Sequence, residues 1–251
     1  MNRLLAGVST AAVSVALLTA APWAATAEEL TASVRATASC PDPAQIIDEE
    51  ATFPQEVIVG TKYTKRMVLD VYADSDCAVT EASAIVDAPR KDFGVKLTKV
   101  GTINGYDHWQ GSLSIEPRSL RNSDAGTWPT TYRVNGEGID QLTVNNKVLR
   151  ASRLTFNAGP EPVRNRRITY SGKLERASWT SLRYFGWSGR TVRVTAFYED
   201  HGNSKQVAAP VTQKDGTYRL TQRFPGSAEY HADVARTSTT AAAHSRTDYV
   251  D

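Results

Sequence analysis

Trp179, Tyr184, Phe185 and Trp187 crowd one short stretch of this 251-residue sequence, with Gly186 and Gly189 beside them. Flat rings held on a turn are a means of sugar recognition, because a sugar ring can lay its C–H face on an aromatic face. Large rings are equally what a small β-sandwich buries to build a core. Both readings stand for Tyr184, Phe185 and Trp187, the candidate ligand-binding residues, and the exposure of Trp187 separates them. Trp109, Trp128 and Trp179 are expected to pack inside.

Nucleophilic and metal chemistry find thinner support. His108, His201, His231 and His244 fall in separate segments, and no H-E-x-x-H pair exists. Gly186-Trp187-Ser188-Gly189 comes nearest to a nucleophile elbow, but it lacks the closing glycine and follows a β-pattern, so it reads as a turn. Asp74-Ser75-Asp76 and Glu199-Asp200 with Asn203 are acidic turns without the glycine and distal glutamate of an EF-hand loop. Aspartates in turns ordinarily accept local backbone N–H groups. The chain is expected to be non-catalytic, with no cofactor and no metal site.

Cys40 and Cys77 are the two cysteines. An isolated pair in an oxidising compartment bridges, and closing such a loop stabilises by about 3–4 kcal/mol on the chain-entropy argument. The spacing is not C-x-x-C, and no histidine lies near either cysteine in sequence.

The compartment is read at the N-terminus. Arg3 precedes an uncharged run from Leu4 to Ala21, and Ala25-Thr26-Ala27 followed by Glu28-Glu29 fits a cleavage site. Residues 1–27 are therefore expected to be a secretory signal peptide. An uncleaved anchor is the alternative, since the run is just long enough to span a bilayer, but Ala, Ser and Thr weaken it. The expected protein is secreted and extracellular, with no membrane attachment after cleavage. With 29 basic and 27 acidic residues, the charge gives no reason to expect nucleic acid as a partner.

The elements that must hold these residues are strands. Residues 28–52 read as a polar lead-in. Residues 53–157 read as a first domain, where Met67, Leu69, Val71 and Ala73 alternate with outward residues. Further runs fall at 79–86, 95–97, 109–115, around Tyr132 and Val134, at 142–144, and at Leu154 and Phe156. Asn104-Gly105, Asn135-Gly136 and Asn145-Asn146 separate them as turns. Ala158-Gly159-Pro160-Glu161-Pro162 reads as a linker over 158–164. Arg164, Arg166 and Arg167 follow it, as a solvated strand start or an anion site. Residues 165–251 repeat the grammar through Ile168–Leu174, Val192–Ala196, Tyr218–Phe224, Tyr230–Val234 and Tyr249-Val250. The fold class is all-β, two tandem immunoglobulin-like β-sandwich domains.

Two sets of residues carry a resemblance. Asp124-Ala125-Gly126-Thr127-Trp128, with Tyr132 and Val134, resembles the D-x-G-x-Y corner of immunoglobulin-like domains, with Trp128 in the place of the tyrosine. A tryptophan has one N–H to give, so the corner hydrogen bond is in question. The second set is Gly172-Lys173-Leu174, Ala177-Ser178-Trp179, Tyr184 to Val192, Asp215-Gly216-Thr217-Tyr218, Phe224-Pro225-Gly226-Ser227 with Tyr230, and Asp248-Tyr249-Val250-Asp251. It resembles an immunoglobulin-like module of secreted actinomycete proteins, mostly uncharacterised. The resemblance implies a fold and a compartment, and places the last strand inside the domain.

The expected function is a non-catalytic, cell-envelope-associated binding or structural module whose partner is a cell-wall polysaccharide or another extracellular protein. A carbohydrate-binding module using Tyr184, Phe185 and Trp187 is one alternative. A secreted enzyme inhibitor presenting a rigid loop is another, and a hydrolase is the last.

Overall fold

The computed structural model describes Cys40 and residues 45–198 and 202–251. The expected signal peptide, most of the lead-in, and Glu199, Asp200 and His201 lie outside the described residues. Among those described, structure is strand, with short 3-10 turns at Ser75–Cys77, Pro117–Ser119 and Asn122–Asp124. No described helix is long and apolar enough to cross a membrane.

The first sandwich uses β1 (Glu56–Val59), β2 (Lys65–Asp74), β3 (Glu81–Ala88), β4 (Lys91–Ile103), β5 (Tyr106–Ile115), β6 (Gly126–Asn135) and β7 (Ile139–Arg150). The period-two pattern of β2 buries Met67, Leu69, Val71 and Ala73 as the alternation predicts. Hydrogen bonding runs β1-β7-β6-β3-β4-β5-β2. Two layers arise from this single path because β4 serves both. Its first half, to Leu97, pairs with β3, and its second half, from Thr98, pairs with β5, with a register shift between Lys99 and Gly101. A bulge bends the strand that carries it. Residues of β2 then meet those of β3 and β6 in one core. β1 runs parallel to β7 while its neighbours are antiparallel, the arrangement of an immunoglobulin-like fold.

The lead-in is less detached than its polarity predicts. Ile46 and Ile47 are buried, and Ile47 bridges Ala73. Cys40 is disulfide-bonded to Cys77, as the isolated pair predicts.

The second sandwich is built from β8 (Ser152–Leu154), β9 (Asn157–Arg164), β10 (Arg167–Ser178), β11 (Arg183–Gly186), β12 (Arg193–Tyr198), β13 (Asn203–Ala208), β14 (Thr217–Arg223), β15 (Ala228–Val234), β16 (Ala243–His244) and β17 (Asp248–Val250). One layer centres on β10, flanked by β14, β11, β8 and β9. The other runs β13-β12-β15, with β16 and β17 both on β15. Ile168, Tyr170, Val194, Tyr218, Tyr230 and Val250 fill the space between them. The chain is all-β, with two immunoglobulin-like sandwiches, and its final Asp-Tyr-Val is the strand β17.

Two expected boundaries shift. Leu154 does not end the first domain, because β8 pairs with β10 (Leu174 opposite Leu154). Residues 158–164 are not a linker but most of β9, which pairs with β10. Proline lacks an N–H yet is tolerated on an edge strand, and Pro160 and Pro162 sit exposed on that edge. Asn165 and Arg166, with φ of 54° and 53°, form the tight turn into β10. Arg166 and Arg167 are exposed there.

With no linker, the sandwiches join by direct packing within one compact unit. Trp179, just past β10, is buried in the first core, and its indole N–H donates to the Val59 carbonyl at 3.0 Å. Its backbone N–H donates to Asn122 Oδ1 at 2.9 Å, and Asn122 Nδ2 donates to Ser178 Oγ at 3.1 Å. The Ala151 N–H donates to Val59 O, and the Ala177 N–H to Ala151 O.

Candidate functional site

Where the sandwiches meet, a cleft of about 240 Å3 opens on the surface. β1 and β7 are parallel, so the loop leaving β1 emerges where β7 passes into β8. That places Gly60 to Lys65 beside Ala151 and Arg153. Tyr184 arrives from the other sandwich because β11 pairs with β10, putting Tyr184 opposite Ala177. Gly60 keeps the approach open, since a Cβ there would stand 3.2 Å from the Tyr184 hydroxyl.

The lining combines rings and cations. Tyr63 is 77% exposed. The Arg153 guanidinium lies 3.6 Å from the centre of the Tyr184 ring, a cation–π contact that orients both groups. Lys62 and Lys65 complete the rim, and no carboxylate lines the cleft. Among the described residues, Lys62, Lys65 and Arg153 make no ion pair. Such a surface can stack a ring and neutralise a negative group next to it.

Of the three aromatic residues singled out in the sequence, only Tyr184 belongs here. Strand alternation turns Phe185 to the opposite face, where it is 51% exposed. Trp187 is 5% exposed and belongs to the second core. Its N–H donates to the Leu174 carbonyl at 2.9 Å, and its own carbonyl accepts the Thr212 hydroxyl at 2.7 Å. A three-ring platform of Tyr184, Phe185 and Trp187 therefore does not form. Tyr63, Lys62, Lys65 and Arg153 carried no sequence signal beyond a Lys/Tyr-rich loop.

A second cleft, about 190 Å3, lies over the corner of the first sandwich. Trp128 Nε1 donates to the Asp124 carbonyl at 2.8 Å, so the indole makes the corner bond. Arg90 clamps the Asp124 carboxylate through Nε and Nη2, at 2.6 Å for the shortest contact. Burial pushes the Asp124 carboxyl up, but bonds from the Arg90 side chain and the Arg121 backbone outweigh it and hold it below the usual carboxylate range. The charged groups of this corner are thus engaged with one another.

The histidines group around aspartates. His108 Nε2 is 2.9 Å from Asp70 Oδ1. His231 and His244 flank Asp233 on different oxygens, at 3.4 and 2.5 Å. They do not converge on one point, and no cluster of three or more metal-type side chains occurs among the described residues. Asp74 Oδ1 accepts the Asp76 N–H, a local turn contact.

No family profile matches the chain, and no curated protein is similar to it. Among solved structures it is similar to a DUF4785 family protein from Legionella pneumophila, at 12% identity and a TM-score of 0.42. The match covers 73% of this chain and 51% of that one, so the chain spans about half that protein's length. The D00-D0 domain of intimin matches at 12% identity and a TM-score of 0.28, covering 80% of this chain and 96% of that one. The Ig1–Ig3 ectodomain of mouse nectin-like molecule 4 matches at 10% and 0.26, covering 82% and 63%. The fold assignment rests on strand order and pairing.

Proposed function

We propose that this chain is an exported, non-catalytic binding module of the cell envelope, and that the junction cleft takes an anionic, sugar-bearing wall polymer. The observation that carries the reading is one exposed tyrosine and one arginine-stacked tyrosine ringed by cations that make no ion pair among the described residues, with no carboxylate in the lining. Sugar rings stack on Tyr63 and Tyr184, while Lys62, Lys65 and Arg153 meet phosphate or carboxylate groups. Export is supported by the signal-like residues 1–27, the Cys40–Cys77 disulfide and the resemblance of residues 165–251 to secreted modules. The non-catalytic part of the reading rests on the sequence, which holds no H-E-x-x-H pair and no complete nucleophile elbow.

Co-sedimentation with purified bacterial cell wall tests the reading, alongside wall stripped of its anionic polymer. The wild type should pellet saturably with intact wall only. Tyr63→Ala and Arg153→Ala should each weaken pelleting by roughly ten-fold or more, as anchor residues do, with the fold intact by circular dichroism. Equal pelleting with stripped wall, or none with either, removes the reading.

A further inference from the structure

Three arginines stand together on the opposite side of the β8 segment from the cleft. In the β8–β10 ladder Arg176 is opposite Ser152. Arg150 precedes Ser152 by two residues, which brings it near Arg176 at the diagonal spacing long side chains bridge. Arg190 enters from the turn before β12. Its guanidinium carbon lies 5.0 Å from the centre of the Trp187 ring, and that of Arg176 lies 5.6 Å from the same ring.

Arg150 is buried and Arg176 and Arg190 are half-buried, yet they lack the partners such cations normally have. Arg150 is only 8% exposed, yet among the described residues its side chain makes no hydrogen bond and no ion pair. Its Nε is fully buried without a partner, as is that of Arg190. No carboxylate oxygen of a described residue lies within 4.0 Å of any of the three, by contrast with Arg90 and Arg236, which each hold an acid. Burial first, and the neighbouring arginine second, pull Arg150 and Arg176 below their ordinary values, with Arg176 acting on Arg150 and Arg190 on Arg176. Unpaired buried charge is costly. The backbone holds it in place nonetheless. The Arg150 N–H donates to Thr239 O, the Ala241 N–H to Arg150 O, and the Arg190 N–H to Thr212 Oγ1.

We infer that Arg150, Arg176 and Arg190 form a preorganised site for a tetrahedral oxyanion of the phosphate type, separate from the junction cleft. Guanidinium forks match such an ion bidentately, and one anion satisfies donors on all three. Trp187 forms the wall of the site, stacked by two of its cations. The ion is either free or a phosphodiester within a polymer.

The test is thermal unfolding at fixed ionic strength, with chloride exchanged for inorganic phosphate, or for a glycerol-phosphate oligomer at equal phosphate concentration. Saturating phosphate should raise the wild-type melting temperature by roughly 2–4 °C or more. Arg176→Gln and Arg190→Gln should abolish that rise. In phosphate-free buffer both variants should melt no lower than the wild type, because each removes like-charge repulsion. A larger rise with the oligomer identifies a polymer as the source, and an equal or smaller one the free ion. If phosphate gives no rise beyond chloride, or if the variants keep the rise, the site does not exist. A drop in melting temperature of both variants in every buffer, with no phosphate response in the wild type, assigns the arginines a packing role instead. Lys62→Gln with Lys65→Gln serves as the control. It should lose wall pelleting and keep the phosphate response, so failure of the cleft and failure of this site are read separately.

Discussion

The two sandwiches close the same corner with different rings. In the first, Trp128 reaches back four residues and donates to the Asp124 carbonyl. In the second, the Tyr230 hydroxyl reaches back four residues to the Gly226 carbonyl. The corner therefore asks for a ring-borne donor at the right reach, and an indole N–H meets it as well as a phenol. The surroundings differ. Asp124 is buried and clamped by Arg90, whereas Gly226 is partly open to solvent. The first corner is locked from both sides, and the second depends on one hydroxyl that water can replace.

The largest effect should come where the halves meet. Trp179→Ala should cost about 3–5 kcal/mol, the usual penalty for a buried tryptophan. It should also split a single calorimetric transition into two, because the indole belongs to one core and is carried by the other. A single, merely shifted transition would show that the remaining junction bonds suffice. Next come the corners. Trp128→Phe strands a buried carbonyl and should cost about 1–3 kcal/mol, while Tyr230→Phe should cost about 1 kcal/mol. Urea titrations that reverse this order would break the comparison.

A smaller, pH-dependent difference should follow from the tyrosines. Burial pushes Tyr170 up to about 12, and raises Tyr218 and Tyr230 as well. In the first sandwich Tyr132 is likewise pushed to about 12. An unfolded phenol loses its proton near its ordinary value of 10.0, while the folded one keeps it. Stability is thus complete below pH 10 and falls as pH rises toward the folded values. Tyr198 is raised by burial too, so with four such groups against one, hydrogen exchange at rising pH should open the second sandwich first. The smallest effect belongs to Phe185→Ser, within about 0.5 kcal/mol and without change in wall pelleting.

Strict alternation made β2 legible, because one of its faces is wholly buried. The course of β4 was not legible. Leu97 is its only buried residue, and its change of partner between Leu97 and Thr98 has no mark in composition. Proline and glycine at 158–162 read as a linker because their shared signal, no ladder donor and a flexible backbone, is the same on an edge strand. Trp187 read as a possible platform because Gly186-Trp187-Ser188-Gly189 has loop composition, yet the turn folds its ring inward. The arginine group left no trace in sequence. Arg150, Arg176 and Arg190 lie far apart along the chain, while Arg164, Arg166 and Arg167 stand out as a run and lead only into a hairpin turn.

The disulfide has a mechanical consequence. Cys40 and Cys77 are 37 residues apart, and β1 and β2 both lie inside the loop they close. Tension applied on the N-terminal side of Cys40 crosses the bond to Cys77 and passes on to β3, so β1 and β2 bear no load while the bond is intact. Once it is reduced, the pull falls first on the Ile47–Ala73 bridge and then reaches β1 along its own axis. Because β1 and β7 run side by side in the same direction, their hydrogen bonds are then loaded together in shear rather than peeled one at a time.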